Sequence, residues 1–212
     1  MTRIILVRHG QTEWNRVERV RGQVDIALDA HGLTQAAATA SRIAEQWAPV
    51  AVYCSPLRRA RQTAAAIAER LALPVTDAEG MNDMNFGEWQ GLSPKEIAER
   101  WPDKAQAWQA SPETVTFPGG ESLDSLRDRA MPALRAIMAH HAGQEVVVVG
   151  HTVVNRVVLC AVLGLDNSHH WRIGQDTCAI SVFAAVRDSF FIESLNDTYH
   201  LRALRAQAGP AL

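Results

Sequence analysis

The sequence begins with a short segment in which chemically active side chains follow an apolar run. Arg8, His9 and Gly10 come directly after that run, and Asn15 lies shortly beyond them. A guanidinium presents a planar fork of donors that suits phosphate or carboxylate, and a neutral imidazole offers a nitrogen that acts as nucleophile or base. Taken alone, the pair fits a loop arginine and a surface histidine equally well.

A second histidine stands in a similar position further along the chain. Gly150, His151 and Thr152 follow the most apolar run of the sequence and precede an apolar segment with helical spacing. A histidine between a buried strand and a helix N-terminus is more informative than a lone surface histidine. By itself it leaves a functional and a structural interpretation equally open.

A cluster of arginines follows a third apolar run. Ser55 and Pro56 predict an N-cap and a first helical residue, and Arg58, Arg59 and Arg61 fall in the first turns of that helix. Free backbone N–H groups and the macrodipole favour an anion at a helix N-terminus. We expect Arg58 and Arg61 to face water.

The elements that must position these residues alternate between strand and helix. We predict strands at 3–7, 50–54, 75–76, 146–149, 178–185 and 190–195, and helices at 29–47, 55–71, 93–101, 105–110, 122–141, 153–163 and a short one ending at 171 that is capped by Asn167 or Ser168. This order predicts an α/β fold, a three-layer α/β/α sandwich on a mostly parallel central sheet. Ligands bind at the carboxyl ends of such strands, where His9 and His151 lie.

Length and composition describe an ordinary globular chain. The 212 residues suit a single domain over 1–212, and the net charge of −2 predicts neither a nucleic-acid surface nor an anionic membrane as partner. The three cysteines, Cys54, Cys160 and Cys178, lie in apolar runs without C-x-x-C spacing, which favours buried free thiols. We therefore expect a cytoplasmic protein.

The opening segment resembles the R-H-G-x-T-x-W-N signature of the histidine phosphatase superfamily, in its phosphoglycerate-mutase-like branch. The resemblance implies that His9 is the nucleophile that becomes phosphorylated. It further implies that Arg8 and Asn15 contact the phosphoryl oxygens, and that the sheet has one antiparallel edge.

Further segments resemble the same family in the same order. Residues 19–25 resemble R-x-Q-G-x-x-D, with Arg21 where Gln is more usual and Gly22 after it. The resemblance implies that Arg21 and Gly22 are among the substrate-binding residues. Arg21 either adds positive charge near the pocket mouth or is a solvated loop residue, and the second interpretation is favoured. Residues 55–64 resemble S-x-L-x-R-A-x-x-T-A, which implies that Arg59 binds the phosphate. Gly150 to Thr152 resembles G-H-G, which implies that His151 donates to the phosphoryl group while Thr152 replaces the second Gly.

The segment that carries the family's acid departs from its pattern. Residues 81–91 resemble L-x-E-x-x-F-G-x-W-x-G, and Asp83 stands where the Glu is expected. The resemblance implies that Asp83 protonates the leaving group with a side chain one methylene shorter. Glu88 is the alternative acid.

The resemblance implies a phosphomonoester phosphatase for a small phosphorylated metabolite, with no cofactor and no metal. A phosphoglycerate-type mutase, or a phosphate-ester binding or regulatory protein with weak catalysis, are the alternatives. The pairs His140–His141 and His169–His170 place neighbouring side chains about 100° apart on a helix, which is unsuited to joint metal binding. We further expect a lid-like insert at about 89–120, a mainly structural Glu121 and a frayed tail at 205–212; the sequence leaves a homodimer open.

Overall fold

The computed structural model describes residues 1–186 and 189–207, which form one six-stranded sheet with helices on both faces. The strands lie in the order β3-β2-β4-β1-β5-β6. The first four of these are parallel and β5 runs antiparallel to β1 and β6. Their bounds are β1 Arg3–Arg8, β2 Ala51–Cys54, β3 Val75–Asp77, β4 Glu145–Gly150, β5 Ile180–Val186 and β6 Ser189–Asp197. The predicted fold class, with its antiparallel edge, is confirmed.

Eight α-helices lie between and after the strands in the described part of the chain. They are α1 Glu13–Arg16, α2 Ala30–Gln46, α3 Arg58–Leu71, α4 Pro94–Arg100, α5 Pro102–Ala110, α6 Leu123–His140, α7 Thr152–Val162 and α8 Arg202–Gln207. Short 3-10 turns complete the connections at Glu79–Met81, Gly87–Trp89, Pro112–Thr114, Asn167–Arg172 and Tyr199–Leu201.

The two central strands are buried on both faces, which explains why their sequences are almost continuously apolar. In β1, Ile4 and Leu6 belong to the core beneath α6 and α7, while Ile5 and Val7 belong to the core beneath α2 and α3. Successive side chains of a strand point to opposite faces, so one strand supplies both cores. β1 and β4 are thereby fixed in register at the centre of the molecule.

Several predicted boundaries are wrong for local reasons. α3 begins at Arg58 instead of Pro56, because the backbone stays extended through Leu57 and the Arg58 N–H donates to Asp25 Oδ1 at 2.7 Å. α5 begins at Pro102, where a helix tolerates proline in its first turn, instead of Ala105.

Three further boundaries toward the C-terminus also differ from the prediction. Asp166, and not Asn167 or Ser168, caps the short helix by accepting from the Ser168 N–H. β5 begins at Ile180 because Cys178 has a left-handed φ of 56°. α8 extends to Gln207 into the segment predicted to fray, and residues 208–212 lie outside the described part.

A buried histidine with no polar partner lies behind the aromatic cluster of residues 101–117. The His170 ring is fully buried, with centroids 5.4 Å from Trp108 and 4.9 Å from Trp171. Neither ring nitrogen has a hydrogen-bond partner within the described residues. Burial, together with Arg156, lowers the pKa of His170 to about 3.

This burial predicts a stability that falls with acid. The unfolded chain protonates this histidine near pH 6.5 and the folded chain does not, so the free energy of unfolding decreases as pH falls below that value. When the pH falls from 7.5 to 5.0, the free energy of unfolding of His170→Phe should decrease by about 2 kcal/mol less than that of the unchanged chain. Urea titrations at the two pH values measure the difference; equal losses in both proteins would contradict the assignment.

Candidate active site

The two histidines of the sequence patterns meet at the carboxyl edge of the sheet. Arg8 of β1 is in register with Gly150 of β4, so the next residues, His9 and His151, leave adjacent parallel strands side by side. The His9 N–H donates to Gly150 O at 3.0 Å. The ring centroids of the two histidines are 5.1 Å apart, and both rings are fully buried.

The His9 ring is held with its Nε2 lone pair available. Its Nδ1 lies 2.6 Å from Gly10 O, a carbonyl that can only accept, so Nδ1 carries the proton. Nε2 is buried and has no hydrogen-bond partner within the described residues. Burial, reinforced by Arg59 and His151, lowers the pKa of His9 well below its usual value. The imidazole is therefore neutral at neutral pH, which is the nucleophilic form.

His151 has the opposite tautomer. Arg59 Nε donates to His151 Nδ1 at 3.1 Å, which makes Nδ1 the acceptor and puts the proton on Nε2. That Nε2 also lacks a partner in the described part of the chain. Burial and the Arg59 charge lower the pKa of His151 well below its usual value. The pair thus presents one lone pair and one N–H donor, which is the arrangement needed to attack a phosphorus atom and bind one of its oxygens.

Asp83 contacts the same group of residues and lines a cavity whose wall also includes Thr152, the residue after His151. Its Oδ2 accepts from Arg59 Nη2 at 3.0 Å and lies 3.7 Å from His151 Nδ1, and its Oδ1 accepts from the Met84 N–H at 2.9 Å. Burial raises the pKa of Asp83 against the opposing charges of Arg59 and Arg21. A carboxyl with a raised pKa can hold a proton and give it to a leaving group.

Arg59 donates hydrogen bonds to His151, to Asp83 and to the loop at 22–24. Besides His151 and Asp83, its Nη1 donates to Val24 O at 2.8 Å and its Nη2 to Gly22 O at 2.6 Å. The side chain is fully buried. Most of its N–H groups therefore orient the acid, the second histidine and the loop at 22–24, which leaves little of the fork to face a phosphate.

Arg8 is held by the backbone on the other side of His9. Its Nη1 donates to Gln175 O, and its Nε is buried without a partner among the described residues. Burial lowers the pKa of Arg8 to about 9, which leaves the guanidinium protonated at neutral pH. Gln175 is fixed in turn by Asn155, whose Nδ2 donates to Gln175 Oε1 at 3.1 Å.

Two glycines allow the turn after β1 to approach helix α2 closely. A Cβ on Gly10 would lie 2.6 Å from Gly32 O, and one on Gly32 would lie 2.1 Å from Gln11 O. The turn is further fixed because the Gly10 N–H donates to Thr63 Oγ1 at 3.1 Å and the Gln11 N–H to Gln35 Oε1 at 2.9 Å. The backbone carbonyl that sets the His9 tautomer is therefore rigidly held.

The remaining predicted binding residues line the cavity, which has a volume of about 400 Å³. Asn15 Oδ1 accepts from Thr12 N–H and Oγ1 at 2.9 and 2.8 Å, which orients the amide. Gly22 takes a left-handed φ of 51°. Thr152 Oγ1 is buried and has no partner within the described residues. Arg21 is half-buried here, so its prediction as a solvated loop residue is wrong.

The outer part of the cavity is largely aromatic. Its walls include Phe86, Trp89, Trp108 and Trp171, and the Phe117 ring packs beneath the first three, with centroids 4.7 to 5.1 Å away. Arg156 lies over the Trp171 ring at 5.0 Å. The leaving group of a bound ester would therefore lie against apolar walls that carry a few cationic side chains.

Glu88 and the two outer arginines are not part of this arrangement. Glu88 is exposed, and its backbone N–H donates to Pro118 O. Arg58 and Arg61 are also exposed, as predicted, and Arg61 pairs with Asp77. Asp83 is thus the carboxyl that the fold brings to the histidines.

Sequence reasoning missed Arg129, which holds the segment that carries Asp83. Its guanidinium donates to Gly80 O, Asn82 O and Asp83 O at 2.8 to 2.9 Å. It also pairs with Glu121 at 2.8 Å, and Glu121 Oε1 accepts from the Asn85 N–H. Arg129 is one of several arginines on the amphipathic helix α6, so no local signal distinguishes it.

The described part of the chain contains neither a metal-binding cluster nor a membrane-spanning helix. No group of three or more His, Cys, Asp or Glu residues in ranges 1–186 and 189–207 is arranged to hold a metal ion. None of the described helices is long and apolar enough to cross a membrane.

Comparisons with known proteins agree with this geometry. Residues 4–198 match the model of the histidine phosphatase superfamily, branch 1. This chain belongs to that family. Its relatives include phosphoserine phosphatase 1 of Hydrogenobacter thermophilus, 37% identical over 212 residues that cover 100% of both chains. A metal-independent phosphoserine phosphatase of Arabidopsis thaliana is 36% identical over 206 residues, 96% of this chain and 85% of the relative.

A solved structure extends the likeness to three dimensions. This histidine phosphatase superimposes on a phosphoserine phosphatase mutant from Entamoeba histolytica in complex with phosphoserine, with a TM-score of 0.85 and 26% identity over 95% of this chain and 100% of the other.

The Thr152 that stands in place of the family's second Gly leaves the backbone undisturbed, because Thr152 is the first residue of α7 and needs no left-handed φ.

Proposed function

We propose that the chain is a phosphomonoester phosphatase that acts through a phosphohistidine at His9 on a small phosphorylated metabolite. The observation that carries the proposal is the unpartnered His9 Nε2, fixed by Gly10 O beside the opposite tautomer of His151. The relatives named for phosphoserine support that compound as the first substrate to test.

In the first step His9 Nε2 attacks the phosphorus atom and the P–O bond to the alcohol breaks. Asp83 gives its proton to the departing oxygen, so a neutral alcohol leaves and a carboxylate remains. The new N–P bond places positive charge on the imidazole, which the hydrogen bond from Nδ1 to Gly10 O stabilises. Arg8, His151 Nε2 and the Asn15 amide face the phosphoryl oxygens and oppose their negative charge.

In the second step the Asp83 carboxylate removes a proton from water. The hydroxide attacks phosphorus, the N–P bond breaks, and its electron pair returns to His9 Nε2. Orthophosphate leaves, and the protonated acid and the neutral nucleophile are both regenerated. The backbone of Asp83 is held in place, because Gln23 Nε2 and Arg129 Nη2 both donate to Asp83 O, at 3.1 and 2.8 Å. This fixed position offsets the shorter reach of the Asp83 side chain.

The wider setting of this activity is part of the proposal. We propose one domain over 1–212, with the segment at 89–120 acting as a lid over the cavity. The free, buried cysteines Cys54, Cys160 and Cys178 support a reducing compartment such as the cytoplasm. Nothing in the site requires a second copy of the chain.

Because protein side chains supply the positive charge, phosphatase activity should not depend on a divalent ion. We expect release of orthophosphate from phosphoserine at the same rate with and without EDTA, and without a bisphosphate primer. A colorimetric phosphate assay measures both. Loss of activity on chelation that Mg²⁺ restores would favour metal-assisted hydrolysis, and a requirement for a bisphosphate would favour a mutase.

A further inference from the structure

Arg21 is a cation of the cavity that forms no salt bridge with a described residue, and Asp83 is the opposing charge that acts on it. It lines the cavity next to Asn15 and Asp83. Its Nη1 donates only a long bond of 3.4 Å to Trp14 O, and its Nε is buried without a partner. It forms no ion pair with any described residue. Burial lowers the pKa of Arg21, which is the effect of removing a charge from water without full compensation.

The other two arginines of the cavity have closer partners than Arg21, although only Arg19 is paired with a carboxylate. Arg19 donates to Gly91 O and pairs with Glu96 at 3.5 Å. Arg156 donates from Nε to Ile173 O at 2.8 Å and lies over Trp171. A half-buried guanidinium without comparable partners is costly unless a ligand supplies the missing anion.

The loop that carries Arg21 is fixed at its following residues. Gly22 O and Val24 O both accept from Arg59, and the Gln23 N–H donates to Gln90 Oε1 at 2.7 Å. The guanidinium is therefore presented from a rigid backbone, next to the carboxyl that would protonate the leaving group. An anion bound there would belong to the alcohol part of the substrate.

We propose that Arg21 binds a carboxylate carried by the alcohol part of the substrate. The proposal rests on the proposed phosphatase function and extends it to the residue that selects the leaving group. A carboxylate fits because the planar fork can hold both of its oxygens. A group with a single negative charge matches the single positive charge of the Arg21 guanidinium, whereas a second phosphate would bring more charge than this side chain balances.

Two substrate pairs that differ in this group test the proposal. One pair is O-phosphoserine and O-phosphoethanolamine, and the other is 3-phosphoglycerate and glycerol 3-phosphate. We expect kcat/KM to favour the carboxylate-bearing member of each pair by about 10- to 100-fold, the range of a charge-assisted hydrogen-bond pair. Arg21→Gln introduces the residue more usual at this position, and it should reduce both preferences to near one.

Arg19→Gln is the matched control, because it removes the same charge from the same cavity at a side chain that Glu96 already neutralises. It should keep both preferences. Equal loss for both members of each pair in Arg21→Gln would overturn the proposal, since Arg21 would then act on the phosphoryl group that they share. Absence of a preference in the unchanged protein would also overturn it.

Binding measurements separate this proposal from the proposed function. In a His9→Ala protein, which lacks the nucleophile, calorimetry should give tighter binding of O-phosphoserine than of O-phosphoethanolamine, and adding Arg21→Gln should remove the difference. If none of the four esters is hydrolysed but the binding difference is present, the phosphatase proposal fails and Arg21 stands as a carboxylate site. If the esters are hydrolysed but O-phosphoserine and O-phosphoethanolamine bind equally well, the carboxylate proposal for Arg21 fails and the phosphatase proposal stands.

Discussion

His9→Ala should lower kcat for phosphoserine by at least about 10⁴-fold and remove all covalent phosphate from the protein. The loss is this large because attack by the imidazole divides hydrolysis into two easier steps, and the neighbouring His151 has its Nδ1 occupied by Arg59 and its proton on Nε2. An acid-labile, base-stable phosphate should be trapped on the unchanged protein by rapid quench during turnover with ³²P-labelled substrate.

The structure further predicts which nitrogen is phosphorylated. Nδ1 of His9 is occupied by Gly10 O, so the phosphate should be on Nε2. Phosphorus–proton correlation spectra of the denatured adduct distinguish the two isomers. An adduct on Nδ1, or substantial activity in His9→Ala, would contradict the mechanism.

His140→Ala is a suitable control for this experiment. His140 is exposed on α6, at the last residue of that helix, and it contacts only the neighbouring His141 ring among the contacts seen in the described residues. The variant should keep the label and the activity. A matching loss in both variants would indicate a general effect of removing histidines.

Asp83→Asn should slow hydrolysis of alkyl phosphates by roughly 10²- to 10⁴-fold and affect p-nitrophenyl phosphate much less. An alkoxide is a poor leaving group and needs the proton, whereas p-nitrophenolate leaves without it. The plot of log kcat/KM against leaving-group pKa should therefore become steeper in the variant. Burial raises the pKa of Asp83, so the acid stays protonated to higher pH than an exposed aspartate. The pH profile of kcat/KM should fall on its alkaline side as Asp83 loses this proton, and the fall should be absent in Asp83→Asn.

Two further variants test the assignment of the acid. Asp83→Glu restores the residue that the family pattern has at this position and should retain activity. Glu88→Gln changes an exposed carboxyl outside the cavity and should behave like the unchanged protein. An equal loss for alkyl and aryl esters in Asp83→Asn would mean that Asp83 only holds the loop. A loss specific to alkyl esters in Glu88→Gln would move the acid to that residue.

The sequence by itself determined the strands and the residues at their ends. A continuous apolar run such as Val146 to Val149 is typical of a strand buried on both faces, as in a parallel sheet covered by helices. Parallel strands put the residues that follow them at one edge of the sheet. The meeting of His9 with His151 was therefore predictable. So was the α/β class, because strand–helix alternation is a local pattern along the chain.

Helix ends depended on contacts that the local sequence does not contain. Ser55 and Pro56 are a good helix start by propensity, but the backbone stays extended through Leu57 and α3 begins at Arg58. The first N–H of the helix donates to Asp25, a residue 33 positions earlier in the chain, which no local pattern shows.

Tertiary structure alone decided what each charged side chain does. The sequence patterns assigned Arg59 to the phosphate and left Arg21 between substrate binding and a solvated loop. In the fold, Arg59 uses most of its donors on Asp83, His151 and two carbonyls, whereas Arg21 has a half-buried guanidinium without a salt bridge to a described residue. Arg129 was invisible in the sequence because the carbonyl groups that it holds lie some 40 to 50 residues away. A guanidinium has the same chemistry everywhere, and its function follows from the partners that the fold puts within hydrogen-bond reach.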